Sequence, residues 1–281
     1  MQIDPFFQVP QRSVNTSMGA VEVPVLYKEG DYSIALFCTL RERVEALLAG
    51  TSFVPAMTFG RYAIVGLVMA NFTLCSATPY SIASLAVPVS RLRGFRPISP
   101  WRELFSKADQ RHMGFYLMNC HTSSPRMVAV GREVWGHIKS PSRVEMSLHK
   151  ATLNCRVECM EGNIPLLQFG GYGPRIGQIR PMGFNMFSIL NDQVMRSILD
   201  TRAPYDVRFP FGFKLQLGAE HPTTLPLRKL GLNGKRPLAV ISTDRFQGRF
   251  NEGVVIETLE HPHPGPATAT RGRLSGGSLQ V

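Results

Sequence analysis

The feature that most constrains the fold is a succession of β-prone apolar segments after Pro55, interrupted by turn-forming residues. The longest apolar run, Tyr62–Cys75, is shorter than the roughly 18–20 residues that a membrane-spanning helix needs. We interpret it as a buried strand or strand pair. The chain is therefore expected to fold as an α+β domain that is rich in strands.

Two hairpins are predicted from the turns between strands. Within Ser147–Gly171, residues 151–160 alternate apolar and polar side chains, Glu161-Gly162-Asn163 supply the turn, and an apolar segment returns. The segment Phe184–Ala203 fits a helix tolerably, but its central Asn191-Asp192 pair is a good two-residue turn. We favour a hairpin there as well.

One helix is clearly indicated, at residues 40–48. Thr39 is placed as its N-cap, Glu42 completes a capping box, and Gly50 suits the C-terminal stop. Its apolar side chains fall on one helical face: Leu40, Val44, Leu47 and Leu48.

The sequence divides into three parts. Residues 1–20, rich in Gln, Ser, Asn and Pro, are expected to be an extended arm, and residues 21–258 a single domain. Residues 259–281 are rich in Pro, Gly, Ser and Thr and are expected to be disordered. We interpret His261 and His263 in this tail as incidental rather than metal-binding.

The composition limits the classes of function. A hydrophobic fraction of 44% with 18% charged residues suits a folded core. The N-terminus lacks the basic and apolar regions of a secretory signal, so we expect a cytoplasmic protein. The net charge of +11 suits nucleic acid, an anionic membrane or an acidic small molecule. Because the arginines are scattered, a solvated basic surface is favoured, with no nucleic-acid or membrane partner.

The five cysteines indicate reduced core thiols, and no metal site is predicted. They form no CxxC pair, and no histidine pair at zinc-finger spacing follows Cys155 and Cys159, which share one strand face. Neither GxGxxG nor GxxxxGK[ST] occurs. Gly170–Gly173 follows a strand and is interpreted as a tight turn, not a phosphate-binding loop. No cofactor is predicted.

The most specific pattern lies in Met127–Val144. The apolar run Met127–Val130, which we interpret as a buried strand, leads into Gly131-Arg132-Glu133, then Trp135-Gly136, then Lys139. This order resembles the acetoacetate decarboxylase-like superfamily, whose signature is an apolar strand, GRE, an apolar or aromatic pair, Gly-aromatic-Pro-Lys and often a second Lys. Weaker similarity covers most of residues 21–258.

The resemblance implies an antiparallel β-barrel or sheet core with few short helices, a homo-oligomer, and a lysine that forms a Schiff base with a ketone. Lys139 occupies the position of that lysine. An amine attacks a carbonyl only when neutral, and an ordinary lysine, with a pKa of about 10.4, is protonated at pH 7. Burial in an apolar pocket or a nearby cation lowers that pKa, and acetoacetate decarboxylase is itself a known case.

Several other residues are candidates for the site. His137 is two residues before Lys139, on the same face of an extended segment, and is a candidate proton shuttle near neutral pH. Arg132 and Glu133 form either an active-site pair or a structural ion pair. The candidates for substrate binding are Tyr80, Ile82, Trp135, Arg245 and Gln247.

The sequence also departs from the family pattern. The second lysine is replaced by Ser140, and an arginine before the early acidic-Tyr pair by Gly30. The pocket glutamates fall on Ile82 and near Ala63. Since these groups bind the substrate carboxylate and protonate the product enamine, authentic acetoacetate decarboxylation is disfavoured, whereas amine chemistry is retained.

The leading hypothesis is a lyase that forms a Schiff base through Lys139 with a keto acid or another small carbonyl compound. Decarboxylation or aldol addition with dehydration would follow, and a step of secondary metabolism is one setting for either reaction. The alternative is a non-covalent small-molecule binding protein, or a cyclase-like enzyme, on the same scaffold. A nucleic-acid binder, indicated by charge alone, is the weakest of the hypotheses.

Overall fold

Nineteen β-strands and four α-helices make up most of the computed structural model, which describes residues 4–94 and 99–259. The helices are α1 (Arg41–Leu48), α2 (Pro100–Glu103), α3 (Pro125–Glu133) and α4 (Leu225–Lys229). The first strands are β1 (Arg12–Thr16), β2 (Gly19–Val23), β3 (Val25–Leu40), β4 (Phe53–Pro55), β5 (Thr58–Phe59), β6 (Tyr62–Cys75), β7 (Tyr80–Arg91), β8 (Met113–Thr122), β9 (Lys139–His149) and β10 (Thr152–Cys159). They are followed by β11 (Pro165–Tyr172), β12 (Arg175–Ile179), β13 (Phe184–Leu190), β14 (Gln193–Thr201), β15 (Tyr205–Arg208), β16 (Gly212–Leu217), β17 (Ala239–Thr243), β18 (Gly248–Phe250) and β19 (Val254–Thr258).

Strands β3 to β19 form a closed barrel, and β1 and β2 form a separate hairpin. The long strands β3, β6 and β7 pair antiparallel over most of their length. Parallel pairing occurs where β8 meets β9 and β13. The predicted β-rich α+β fold with a barrel core and few short helices is confirmed.

The central sheet buries both of its faces. Along β6, Val65, Leu67 and Met69 point to one side and Val68 and Ala70 to the other, because successive side chains of a strand alternate. We call the side with Val65 the first core; it also contains Phe37, Leu85 and Phe169. The second core contains Tyr27, Tyr32, Phe72, Tyr80, Trp135 and Phe246.

Both predicted hairpins are present. Strands β10 and β11 pair from Thr152 opposite Tyr172 to Glu158 opposite Pro165. Strands β13 and β14 pair throughout and are joined at Asn191 and Asp192, whose φ angles are 50° and 58°. Two positive φ angles define the type I′ turn, which matches the twist of the strands and favours Asn and Asp. The run Tyr62–Cys75 is one strand, β6.

The predicted helix at residues 40–48 is confirmed as α1, but its cap is wrong. Leu40 is the N-cap and no side chain caps the helix. The Thr39 hydroxyl instead donates a hydrogen bond to the carbonyl of Leu230, at 2.7 Å. Thr39 is still the penultimate residue of β3, so its side chain is committed to the barrel and not to the helix.

The predicted strand Met127–Val130 is wrong, because these residues lie in helix α3. The Ser124 side chain accepts a hydrogen bond from the Met127 amide, at 3.3 Å, and Pro125 occupies the first turn. A serine N-cap followed by proline is a start signal for a helix. The helix buries Met127 and Val130, three residues apart, in the second core.

Gly170–Gly173 is not the predicted tight turn. Strand β11 continues through Gly170 and Gly171 to Tyr172. A Cβ atom on Gly171 would collide with the carbonyl oxygen of Gly212 in the neighbouring strand β16. These glycines therefore permit close approach of two strands.

The predicted N-terminal arm contains more structure than expected, since β1 and β2 form a hairpin from Arg12 to Val23. The predicted disordered tail and its two histidines lie outside the described residues, except for Leu259, whose amide donates to the carbonyl of Asp192. None of the helices in the described part of the chain has the length and apolar character that crossing a membrane demands.

Candidate active site

Lys139 is the first residue of β9, immediately after the turn that follows α3. This turn depends on Gly136, which has a φ of 64° and whose added Cβ would lie 2.8 Å from the carbonyl oxygen of Ile189. The His137 amide donates to the carbonyl of Gly131, at 2.8 Å, and closes the turn. Lys139 then pairs in parallel with Cys120 of β8.

The side chain of Lys139 is buried among aromatic rings, with 5% of its surface exposed. Its Nζ atom lies 5.8 Å from the ring centre of Tyr80 and 6.0 Å from that of Trp135. The Lys139 side chain passes over Gly131 of α3, where an added Cβ would lie 2.8 Å from Nζ. A glycine at this position of the helix therefore makes room for the lysine.

Burial lowers the pKa of Lys139, and the nearby Cys120 opposes this effect in part. Desolvation favours the neutral amine because the ammonium form loses its hydration. None of the ion pairs found within residues 4–94 and 99–259 involves Lys139. The Lys139 amine therefore lies in an apolar environment that favours its neutral form.

His137 lies beside Lys139, as the sequence indicated, but it is not poised to change charge near neutral pH. Burial, followed by the charge of Lys139, lowers the pKa of His137 to about 3. Its ring stacks on Phe250, with centres 5.8 Å apart, and Nε2 has no hydrogen-bond partner among the described residues. The imidazole is therefore neutral at physiological pH and is suited to hydrogen bonding.

Arg132 and Glu133 are both exposed and do not pair with each other. Arg132 Nε donates to the backbone carbonyl of Lys139, at 2.8 Å, and thereby holds the start of β9 against α3. The carboxylate of Glu133 accepts hydrogen bonds from the amide and hydroxyl of Ser17, at 2.9 and 2.5 Å. Arg132 thus positions Lys139, whereas Glu133 anchors the β1–β2 hairpin.

Tyr80 and Trp135 lie in the second core with Lys139. The hydroxyls of Tyr80 and Tyr27 are 2.7 Å apart, and burial raises the pKa of both phenols. Trp135 is fully buried and donates from Nε1 to the carbonyl of Asn251. Ile82 is partly buried and packs against the same core.

Arg245 and Gln247 are not brought together with Lys139. They line a surface cleft of about 600 Å³, together with Lys28 and Arg202. Arg245 pairs with Asp244, and Gln247 accepts a hydrogen bond from Arg202 Nε, at 3.0 Å. The residue between them, Phe246, packs in the second core, whereas Arg245 and Gln247 line the cleft.

A separate apolar cavity of about 70 Å³ opens in the second core. Among the described residues that line it, none has a charged side chain. Its walls include Ile34, Gly66, Val68, Ala86 and Phe184. No group of three or more His, Cys, Asp or Glu side chains suited to a metal ion is found in the described parts of the chain.

Comparison with known proteins gives matches only at the level of structure. No protein-family model matches the sequence, and no curated protein is significantly similar to it. An acetoacetate decarboxylase from Legionella pneumophila superposes with a TM-score of 0.60, at 14% identity, over 91% of this chain and 95% of its own. The chain has the acetoacetate decarboxylase fold.

Two further structures with a similar fold are those of enzymes. MppR, an enduracididine biosynthesis enzyme in complex with the condensation product of pyruvate and imidazole 4-carboxaldehyde, has a TM-score of 0.56 and 9% identity, over 82% of this chain and 88% of its own. An acetoacetate decarboxylase-like enzyme from Sphingomonas wittichii has a TM-score of 0.54 and 9% identity, over 85% and 95%.

The departures from the acetoacetate decarboxylase-like pattern have structural counterparts. At Gly30, an added Cβ would lie 2.6 Å from the carbonyl oxygen of Asn71, so the backbone leaves no room for an arginine. Ala63 is buried in the first core, on the opposite side of the sheet from Lys139. Ile82 is on the Lys139 side, where it makes the wall apolar.

Sequence reasoning did not place Cys120 or Gly131 beside Lys139, nor Tyr27 beside Tyr80. Cys120 and Lys139 shift each other's pKa, and Cys120 is likewise coupled to Tyr27. A bulge at Asn119, whose φ is 49°, changes the alternation of β8 just before Cys120. The sequence carries no signal of this bulge. For Gly131 a signal did exist, because it is the glycine of the GRE motif.

Proposed function

We propose that this protein is an imine-forming enzyme of the lyase class, with Lys139 as its nucleophile and a small carbonyl compound as its substrate. The observation that carries the proposal is the burial of an amine against two aromatic rings, with a lowered pKa and with no carboxylate partner in the described structure. Perturbed pKa values cluster at functional sites, so a buried amine with a lowered pKa is a candidate for function.

The proposed reaction begins with attack on the carbonyl carbon by the lone pair of Nζ. The π electrons move to oxygen, which takes up a proton, and the carbinolamine then loses water to give the protonated imine. The imine draws electrons from the neighbouring bond. With a β-keto acid, the C–C bond breaks, CO₂ leaves, the resulting enamine takes a proton at carbon, and water releases the ketone and the amine.

An aldol-type reaction starts from the same imine intermediate and is an equally suitable reaction for this site. The imine of a ketone or 2-keto acid loses a proton from the adjacent carbon, and the enamine so formed attacks an aldehyde carbon, whose oxygen takes up a proton. Loss of water and hydrolysis of the imine complete the cycle. The likeness in fold to both acetoacetate decarboxylase and MppR supports this choice of two reactions.

The site contains neutral groups that suit these steps. The Tyr27–Tyr80 hydroxyl pair keeps its protons, because burial raises both phenol pKa values. An O–H group near the amine would stabilise the carbinolamine oxygen and supply a proton to the enamine carbon. We assign this role to Tyr80, in place of the glutamates that the sequence lacks.

Borohydride trapping tests the proposal. The protein is incubated with acetone, pyruvate or acetoacetate, reduced with borohydride and digested. Mass spectrometry should show the added mass at Lys139, and exposed Lys28 and Lys150 serve as internal controls. Lys139→Arg should abolish the adduct. An unmodified Lys139 across a broad panel of keto acids and ketones would overturn the proposal.

The second candidate is a non-covalent binding protein or a cyclase-like enzyme on this scaffold. The apolar wall that Ile82 and its neighbours provide is the observation that favours it. This candidate requires Lys139→Ala to retain function, and a bulky residue at Ile82 to abolish it. A cytoplasmic location and a homo-oligomeric state remain proposals that accompany the enzyme, as does the exclusion of nucleic-acid and membrane partners.

A further inference from the structure

The apolar cavity of the second core has no role in the imine chemistry itself. Its walls are supplied by β3, β6, β7, β8, β13 and β17, on the side of these strands that faces the second core. Trp101 and Leu104 border it from the segment around α2. Of its described lining residues, only Tyr32 and Trp101 carry a polar group on the side chain.

This lining selects the chemistry of an occupant. An unpaired carboxylate in such a cavity would lose its hydration without gaining a partner, which is strongly unfavourable. An alkyl chain, by contrast, gains free energy in proportion to the apolar surface that it buries. The cavity therefore suits an uncharged hydrocarbon group.

The cavity and the amine of Lys139 share one face of the β6–β7 pair. Residues directly opposite each other in an antiparallel pair point to the same side. Gly66 pairs with Ala86 at the cavity, and Phe72 pairs with Tyr80 beside Lys139. Between them, Ala70 pairs with Ile82.

The separation is short. Val68 lines the cavity and is two residues from Ala70, which corresponds to about 7 Å along a strand. Ile82, opposite Ala70, is only partly buried. Its apolar side chain suits contact with an alkyl chain that runs from the cavity to Lys139. On the cavity side, Tyr32, Ile34 and Leu36 are spread over five residues of β3, about 13 Å from the first to the last.

We infer that the carbonyl compound bound by this protein carries an apolar alkyl chain, which fills the cavity and extends past Ile82 to place the carbonyl at Lys139. The inference rests on the proposed function for the fate of the carbonyl. It names a substrate class, long-chain ketones or keto acids, that differs from acetoacetate by having a hydrocarbon tail in place of a methyl group.

A series of methyl ketones, from acetone through 2-pentanone and 2-octanone to 2-decanone, tests the inference by borohydride trapping. The concentration that gives half-maximal adduct at Lys139 should fall by about fourfold for each methylene that enters the cavity. A half-maximal concentration that does not fall with chain length would overturn the inference while leaving imine formation intact.

Cavity-filling variants locate the chain. A Cβ on Gly66 would lie 3.2 Å from Ile34 Cγ2, so the larger side chain of Gly66→Val projects into the cavity. This variant should lose the preference for 2-octanone and retain trapping of acetone. Gly177→Val is the matched control, because nothing lies within 4 Å of an added Cβ there. Ala86→Val provides a second test should Gly66→Val fail to fold, as judged by circular dichroism.

Binding without chemistry separates the two proposals. Calorimetric titration of the Lys139→Ala variant with 2-octanone measures the cavity alone. If adding Gly66→Val to the Lys139→Ala variant weakens the binding of 2-octanone by tenfold or more, the inference is supported, even where the wild-type protein forms no adduct. The absence of an adduct in the wild-type protein would then count against the proposed function only. Failure of 2-octanone to bind Lys139→Ala would overturn the inference.

Discussion

Replacement of Gly131 by alanine tests whether the position of the Lys139 amine governs its reactivity. Gly131 lies in the last turn of α3, and an added Cβ would lie 2.8 Å from Nζ and closer still to Cδ and Cε. Ordinary contact begins at 3.4 Å, so the amine must move by about 0.6 Å or more. The rings of Tyr80 and Trp135, whose centres are 5.8 and 6.0 Å from Nζ, restrict the directions in which the side chain can move.

The effects on stability and on reactivity should differ in size. Alanine in place of glycine favours a helix by about 1 kcal/mol, and overpacking costs about 1–3 kcal/mol. The free energy of unfolding of Gly131→Ala should therefore fall by at most about 2 kcal/mol. Displacement of a reacting atom by about 1 Å costs about 100-fold in rate, so we expect trapping at Lys139 to slow by about 10- to 100-fold.

The assay measures the rate of adduct formation at Lys139 with acetone and borohydride, alongside urea unfolding. Gly177→Ala is the control, because it is the same substitution at a position with no atom within 4 Å of the new Cβ. Trapping by Gly131→Ala at the wild-type rate would refute the reasoning, since the amine would then tolerate the displacement.

Three further predictions follow from the surroundings of Lys139. Trapping should increase with pH through a midpoint below 10.5, because burial lowers the pKa of Lys139 and only the neutral amine reacts; a midpoint at or above 10.5 would contradict this. Burial and the charge of Lys139 lower the pKa of His137 from 6.5 to about 3, so the unfolded state binds more protons between these values. As pH decreases from 6.5 to 3, this residue alone should lower the free energy of unfolding by about 1.4 kcal/mol per pH unit. Urea unfolding at a series of pH values should show that the free energy of unfolding of His137→Phe depends less steeply on pH than that of the wild type. Glu133→Ala should speed amide exchange at Ser17, which loses its acceptor, and leave trapping unchanged; a large loss of trapping would return Glu133 to the active site.

The strands of this fold could be predicted from the sequence because their signals are local. The turn residues Asn191 and Asp192 specify a hairpin by their tolerance of positive φ angles. The helix α3 was misassigned because Met127–Val130 is uniformly apolar, and such a short run fits a buried strand as well as a helix. The decisive signal was the Ser124-Pro125 start, which a reading of the apolar run alone overlooks.

The site was only partly predictable. Lys139, His137 and Trp135 belong to one motif and lie together, and Tyr80, a candidate from outside that motif, lies beside Lys139, but Cys120 enters through parallel pairing of β8 with β9. Such pairing joins residues with no local signature. Arg245 and Gln247 lie in the irregular segment between β17 and β18, and its conformation depends on tertiary contacts such as the hydrogen bond from the Phe246 amide to the carbonyl of Gly30. The local sequence carries no signal of where these two side chains point.

The division of the central sheet into two cores places Lys139 and its neighbours against only one of the two sets of side chains. Consecutive positions of β7 belong alternately to one and to the other, so evolution can remodel Ile82 or Ala86 while Ala83 and Leu85 stay unaltered. The same arrangement makes the molecule intolerant of insertions. A single residue added within β7 would exchange the two sets of side chains and would damage folding and chemistry together.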